Sequence, residues 1–169
     1  MTDIKALIKG ARLPEATVPL CLRADLVAEY ERVKRELEKV RAATAGSLAG
    51  PGEQGADLEE RLRALWPEMA ESTLTVTLRA LPSPRYQALV AEHPPRQDGD
   101  EVDKRDRFFG FNVDTFFPVL ARACTVAPDL DAEDWNGLIG EDGKLTDAQV
   151  GKLCDAAWKL NRKDVDLPF

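Results

Sequence analysis

Thr73-Leu-Thr-Val-Thr-Leu-Arg79 alternates polar and apolar side chains without interruption. A period of two puts Leu74, Val76 and Leu78 on one face of a strand, with Thr73, Thr75, Thr77 and Arg79 on the other. Threonines on the open face suit an antiparallel sheet with one face in water. Its expected partner lies upstream. Thr17–Arg23 alternates in the same way, and Val18, Leu20 and Leu22 share a face. Pro19 has no N–H for a ladder, so this strand is expected at a sheet edge or paired on one side only.

A helical hairpin with a broken middle is predicted between these strands. Over Ala24–Thr44 the apolar residues Leu26, Tyr30, Val33, Leu37 and Val40 recur at steps of four, three, four and three, a coiled-coil seam. Glu31–Arg35, and Glu38 with Arg41 or Lys34, are expected surface pairs worth ~0.3 kcal/mol each. Gly46–Gly55 is the break, rich in glycine around Pro51. A second stripe follows with Leu58, Leu62, Leu65, Trp66 and Met69; Asp57 is its expected cap, and Glu59–Arg63 supports it. Pro67 falls inside the pattern and is expected to kink or shorten that helix. A hairpin returns the chain to its start, so 17–23 and 72–80 can pair antiparallel. The result is a β-α-α-β unit with a projecting helical arm.

The second half reads as helical. Ser83 is the expected N-cap of a helix with Pro84 at its first position, and Tyr86, Leu89 and Val90 form its apolar face. The charged stretch 96–107 is expected to be a mobile loop or marginal helix. Asn112-Val113-Asp114 opens a helix with Pro118 in its first turn. A further helix lies within 131–140. Thr146 and Gln149 form a capping box for the last helix, which carries Val150, Leu153, Cys154, Ala157, Trp158 and Leu160. Residues 1–16 are expected to be an arm with one loose turn, and 164–169 an extended tail. The predicted class is α+β and mostly helical: the β-α-α-β unit and small antiparallel sheet over 1–82, then a C-terminal helical bundle over 83–169, in one continuous domain.

Composition narrows the function. A formal net charge of −7 over 169 residues opposes a phosphate-backbone footprint, which needs a basic stripe. Arg32–Arg41 is interleaved with glutamates and reads as a solvated helix face. Cys21, Cys124 and Cys154 lie far apart, and His93 is the single histidine, so no zinc-ligand spacing exists. Reduced thiols, no apolar leader and no bilayer-length run point to the cytosol, with no membrane partner. His93 reads as a helix-end residue. The acidic run from Asp129 to Asp134 fails the EF-hand pattern, since Asp134 stands where glycine is needed, and reads as an acidic first helical turn. No catalytic triad, metal set or phosphate loop is visible, so neither an enzyme nor a cofactor is expected.

The feature that asks for a function is aromatic. Phe108, Phe109, Phe111, Phe116 and Phe117 place five of the six phenylalanines within ten residues. Three of them suffice for a core. Phe108, Phe109 and Phe111 are the candidate partner-binding residues, together with Val165, Leu167 and Phe169 of the apolar tail.

Four segments carry a family resemblance: Thr73-Leu-Thr-Val-Thr-Leu-Arg-Ala-Leu-Pro82, Glu92-His-Pro-Pro95, Phe111-Asn-Val-Asp-Thr-Phe-Phe-Pro-Val-Leu120 and Ala156-Ala-Trp-Lys-Leu-Asn-Arg-Lys-Asp-Val-Asp-Leu-Pro-Phe169. Over about residues 17–169 the chain resembles tail assembly chaperones, or closely associated tail-assembly proteins, of long-tailed actinobacterial phages and prophages. Gly46–Gly55 departs from that pattern. The resemblance implies a non-enzymatic role in virion morphogenesis in the host bacterial cytosol. The expected partners are the long, hydrophobic tape measure protein, the tail tube protein and further copies of the chain. In such phages a ribosomal frameshift often appends a second domain, and a chain ending at Phe169 would be the shorter product. The alternative expectation is a permanent tail or connector component of the particle.

Overall fold

A computed structural model describes residues 3–164 and 167–168. The chain divides into two compact units, one of residues 19–74 and one of 1–18 with 75–169. Their elements are consistent with the predicted class, mostly helical with a small antiparallel sheet.

Strands β1 (Glu15–Cys21) and β2 (Thr73–Arg79) are neighbours in a three-stranded sheet of order β1-β2-β5. Their pairing is antiparallel: Leu22 N donates to Ser72 O at 2.8 Å, and Ala80 N donates to Pro14 O at 3.0 Å. Pro19 thus sits on an edge strand, where its missing donor is tolerated. Val18, Leu20, Val76 and Leu78 are buried. Leu22 is not, because the strand ends at Cys21 and the alternation lapses there. The third strand, β5 (Thr125–Ala127), was not legible in the sequence. It pairs antiparallel with β2 through Thr77–Ala127 and Leu78–Thr125, with a register shift between them. Three residues are too few to display a period.

In the unit 19–74, α2 (Ala24–Ala43) and α3 (Gly52–Glu71) form the hairpin. Leu26, Val33 and Leu37 are buried on α2 and Leu65 on α3. Salt bridges join the two helices, with Arg41 Nη2 to Glu59 Oε1 at 2.8 Å and Arg61 Nε to Glu29 Oε1 at 2.9 Å. On α2 the i,i+4 pair that forms is Arg32–Glu36, not Glu31–Arg35.

Four expectations need correction here. Asp57 is no cap, since α3 begins at Gly52. The break shortens accordingly, because Gly55 lies inside the helix against Pro51; a Cβ at Gly55 would meet Pro51 Cβ at 2.4 Å. Pro67 does not shorten α3, which runs to Glu71. Pro67 is exposed, so water can satisfy the carbonyl its ring leaves unbonded. Trp66 is 63% exposed because Leu58, Leu62, Leu65 and Met69 alone keep the four-three-four seam.

In the other unit, α1 (Ile4–Gly10) replaces the loose turn expected near the start. Helix α4 (Ser83–Ala91) has Pro82 at its N-cap, so Ser83 is its first residue rather than its cap. The charged stretch is ordered into a two-residue ribbon, β3 (Gln97–Asp98) with β4 (Glu101–Val102), followed by α5 (Lys104–Phe109). Helix α6 (Val113–Cys124) is capped by Asn112, and Pro118 falls in its second turn rather than its first. Helix α7 (Ala132–Ile139) has a capping box of Asp131 and Asp134, which explains the acidic run. Helix α8 (Asp147–Arg162) has the expected box of Thr146 and Gln149. The core here includes Phe116, Leu120 and Cys124 of α6 with Leu153 and Ala157 of α8. Near the end of α8, Asn161 accepts from Leu81 N at 2.8 Å and donates to Cys124 Sγ at 3.2 Å. Burial holds the Cys124 thiol above its ordinary pKa and pushes that of Cys154 up to about 11.

Among the described residues no helix is long and apolar enough to cross a membrane.

Candidate functional site

The aromatic cluster lies in the unit that contains residues 75–169, where α5, α6, α4 and α8 supply its parts. Asp103 starts α5 by accepting from Arg105 N and Asp106 N. Gly110 stops it with φ 83°, a left-handed conformation that glycine adopts at little cost. Asn112 then caps α6. Two helix starts and one glycine stop within ten residues explain why five phenylalanines can point different ways.

Their fates differ. Phe111 and Phe116 are core, with ring centroids 4.0 Å apart. Phe109 and Phe117 are half-buried. Phe109 is the hub: its ring meets Phe108, Phe117 and Trp158 edge to face at 5.1, 5.5 and 5.9 Å. Such contacts add ~0.5–1.5 kcal/mol each beyond area burial. Phe108 is 83% exposed. A groove of about 410 Å³ opens beside these rings, walled by Tyr86 and Val90 of α4 and by Trp158 and Arg162 of α8. Phe108, Phe109 and Phe111 all line it, so the structure brings the three candidates of that segment together. Phe111 contributes from beneath, as a buried floor, rather than as a surface contact. Leu167 is exposed. Val165 and Phe169 lie outside the described residues.

A charged clamp, missed in the sequence, fixes α5 to the start of α6. Asp106 is fully buried. It accepts from Arg96 Nε at 2.8 Å, Arg96 Nη2 at 2.9 Å, Arg96 N at 2.8 Å and Val113 N at 3.1 Å. Those bonds, above all to the Arg96 guanidinium, hold the carboxyl well below the usual carboxylate range. Asp114 bridges Arg96 to Arg105. A buried charge satisfied in this way is unlike a titrating catalytic acid. The only prior signal was a density of charge, which is the same for a solvated loop.

His93 Nδ1 lies 2.9 Å from Thr115 Oγ1, and its ring packs edge-on against Phe116. It is a helix-end residue stitched to α6, with Asn112 N donating to His93 O at 2.9 Å. Among the described residues no group of three or more His, Cys, Asp or Glu side chains is placed to hold a metal ion. The groove presents aromatic rings and Val90 beside two polar side chains, the Gln87 amide and the Arg162 guanidinium.

No protein-family model matches the chain, and neither a curated protein nor a solved structure is found to match it.

Proposed function

We propose that the chain is a non-enzymatic assembly chaperone of a long-tailed phage or prophage, binding an apolar helical segment of the tape measure protein in the aromatic groove. The observation that carries this reading is Phe108, exposed at the lip of a groove whose other rings are packed in place. Covering such a ring contributes ~1.5–3 kcal/mol, and aromatic anchors of this kind dominate helix-in-groove binding. The rigid backing by Phe109, Phe111 and Trp158 lowers the ordering cost on binding. The net charge of −7 keeps a protein with an exposed apolar lip in solution. Bound along its client in the host cytosol, the chain would bring tail tube subunits to it, in line with the family it resembles.

A pull-down against a helical tape measure segment tests the reading. Phe108→Ser is expected to lose capture while staying folded, its Tm lowered by only the few degrees that one exposed ring contact is worth. Equal capture by wild type and variant would remove the groove as the client site.

A further inference from the structure

Three places in the chain put glycine directly after an aspartate or asparagine: Asp98-Gly99, Asn136-Gly137 and Asp142-Gly143. At such a pair the glycine's main-chain nitrogen can attack the preceding side-chain carbonyl carbon and close a five-membered imide. Glycine permits this because no Cβ shields its nitrogen and its dihedrals turn freely. An amide carbon is attacked more readily than a carboxylate, so the sequence alone ranks Asn136 first.

The fold reverses that ranking. Gly137 lies inside α7, beyond its first turn, where a helical N–H is committed to the turn before it. Asn136 O accepts from Gly140 N at 2.8 Å, which holds that residue as well. Gly143 N donates to Gly140 O at 2.9 Å, and a Cβ at Gly143 would meet Leu138 O at 2.6 Å. Neither nitrogen is free to attack. Gly99 differs on each count. Asp98 pairs with Glu101 across the β3–β4 ribbon, so Gly99 and Asp100 form its whole loop. Gly99 has φ 64° and Asp100 a negative φ, which makes a type II′ turn. Asp98 and Gly99 are exposed, and a Cβ at Gly99 would meet nothing within 4 Å. Among the described residues no hydrogen bond holds Gly99 N. Two strands of two residues each give the turn little resistance to rotation.

We propose that Asp98-Gly99 is a site of spontaneous isoaspartate formation. Gly99 N attacks Cγ of the protonated Asp98 carboxyl. The new C–N bond forms as the carboxyl OH leaves with the amide proton as water. Water then adds to the imide at the former main-chain carbonyl and breaks the bond from that carbon to Gly99 N. The side-chain carbon now carries the chain, and the former main-chain carbonyl is a free carboxylate. No oxidant, reductant or cofactor enters, and the mass is unchanged. The product lengthens the ribbon by one main-chain carbon. Asp103 N donates to Arg96 O at 2.9 Å across the base of that ribbon, so the extra carbon lies beside the clamp on Asp106. This site does not depend on the client proposed above.

Incubation of the full chain in heavy-oxygen water at neutral pH, folded and in urea, tests it. Ring opening inserts one solvent oxygen. After digestion with trypsin in ordinary water, the peptides 97–104 and 123–144 report the three sites, and fragmentation places the label. In the folded chain residue 98 is expected to take up label at least about tenfold faster than residues 136 and 142, the factor set by freeing one committed N–H. In urea Asn136 is expected to overtake it. Asp98→Glu would need a six-membered ring, so it is expected to lose both the label in 97–104 and esterification by an isoaspartyl methyltransferase. Asp98→Asn is expected to release ammonia and convert faster than wild type. Label at residue 136 or 142 as fast as at 98 in the folded chain overturns the proposal. So does an order of sites that urea leaves unchanged, or methyl acceptance that survives in Asp98→Glu.

Discussion

Arg96 grips Asp106 through two parallel N–H···O bonds, Nε to Oδ2 at 2.8 Å and Nη2 to Oδ1 at 2.9 Å, around a carboxylate with no exposure to solvent. The pair is fork-to-fork, the strongest geometry available to these groups. It locks the strap around residue 96 to α5 and, through Val113 N, to the first turn of α6. Phe108 and Phe109 are the last residues of the helix so held. The charge pair thus helps to position two of the rings that line the groove.

Asp106→Asn is expected to destabilise the unit at pH 7, because it removes the buried charge of the fork and leaves Arg96 only its more exposed partners Asp114 and Asp103. The folded-state pKa of Asp106 is depressed, so its stabilising effect is complete above the ordinary carboxylate value and fades as pH falls below about 4. Urea titrations of both proteins at neutral and acid pH check the sign. The gap between them should narrow in acid, and a gap independent of pH would rule out this linkage.

Phe111→Ala and Phe108→Ser should separate floor from lip. Phe111 is buried against Phe116, and its truncation is expected to cost ~3–5 kcal/mol. Phe108→Ser should cost no more than its ring contact with Phe109, ~0.5–1.5 kcal/mol. Chemical denaturation measures both; similar losses would mean that Phe108 is part of the core in solution.

Gly110→Ala is expected to cost ~1–2 kcal/mol, because φ 83° is left-handed. A Cβ there meets nothing within 4 Å, so the cost is conformational and not steric. A Tm several degrees lower, with the groove's ligand affinity reduced in the same variant, is the expected result. An unchanged Tm would show that the turn relaxes freely.

Leu37→Asp is expected to open the hairpin and spare the other unit. Leu37 is buried in the seam of α2, and a charge there costs ~3 kcal/mol or more. Hydrogen exchange should rise within 19–74 alone. A uniform rise through 110–160 would show that the hairpin does not open as a separate element.

What could be read from the sequence is what local periodicity encodes. The alternation of 73–79 and the four-three seam of 26–40 each run long enough to show their period, and both elements stand as read. Asn112 and Thr146 announce their helices because a cap is a contact between near neighbours in the chain. Pro19 named its own edge, since a missing donor is a property of the residue.

Tertiary structure decided the rest, for the complementary reason. β5 is too short to have a period and exists because β2 offers it a free edge. Asp106 is buried because Arg96, ten residues away, folds back to meet it, and a list of charges cannot tell that meeting from hydration. Five phenylalanines in a row of ten looked alike in sequence; Gly110 and the clamp made Phe111 a floor, Phe109 a hub and Phe108 a lip. Composition could say that these rings would seek apolar surroundings. Only the packing of α4, α5, α6 and α8 decided which of them found it within the chain and which was left exposed.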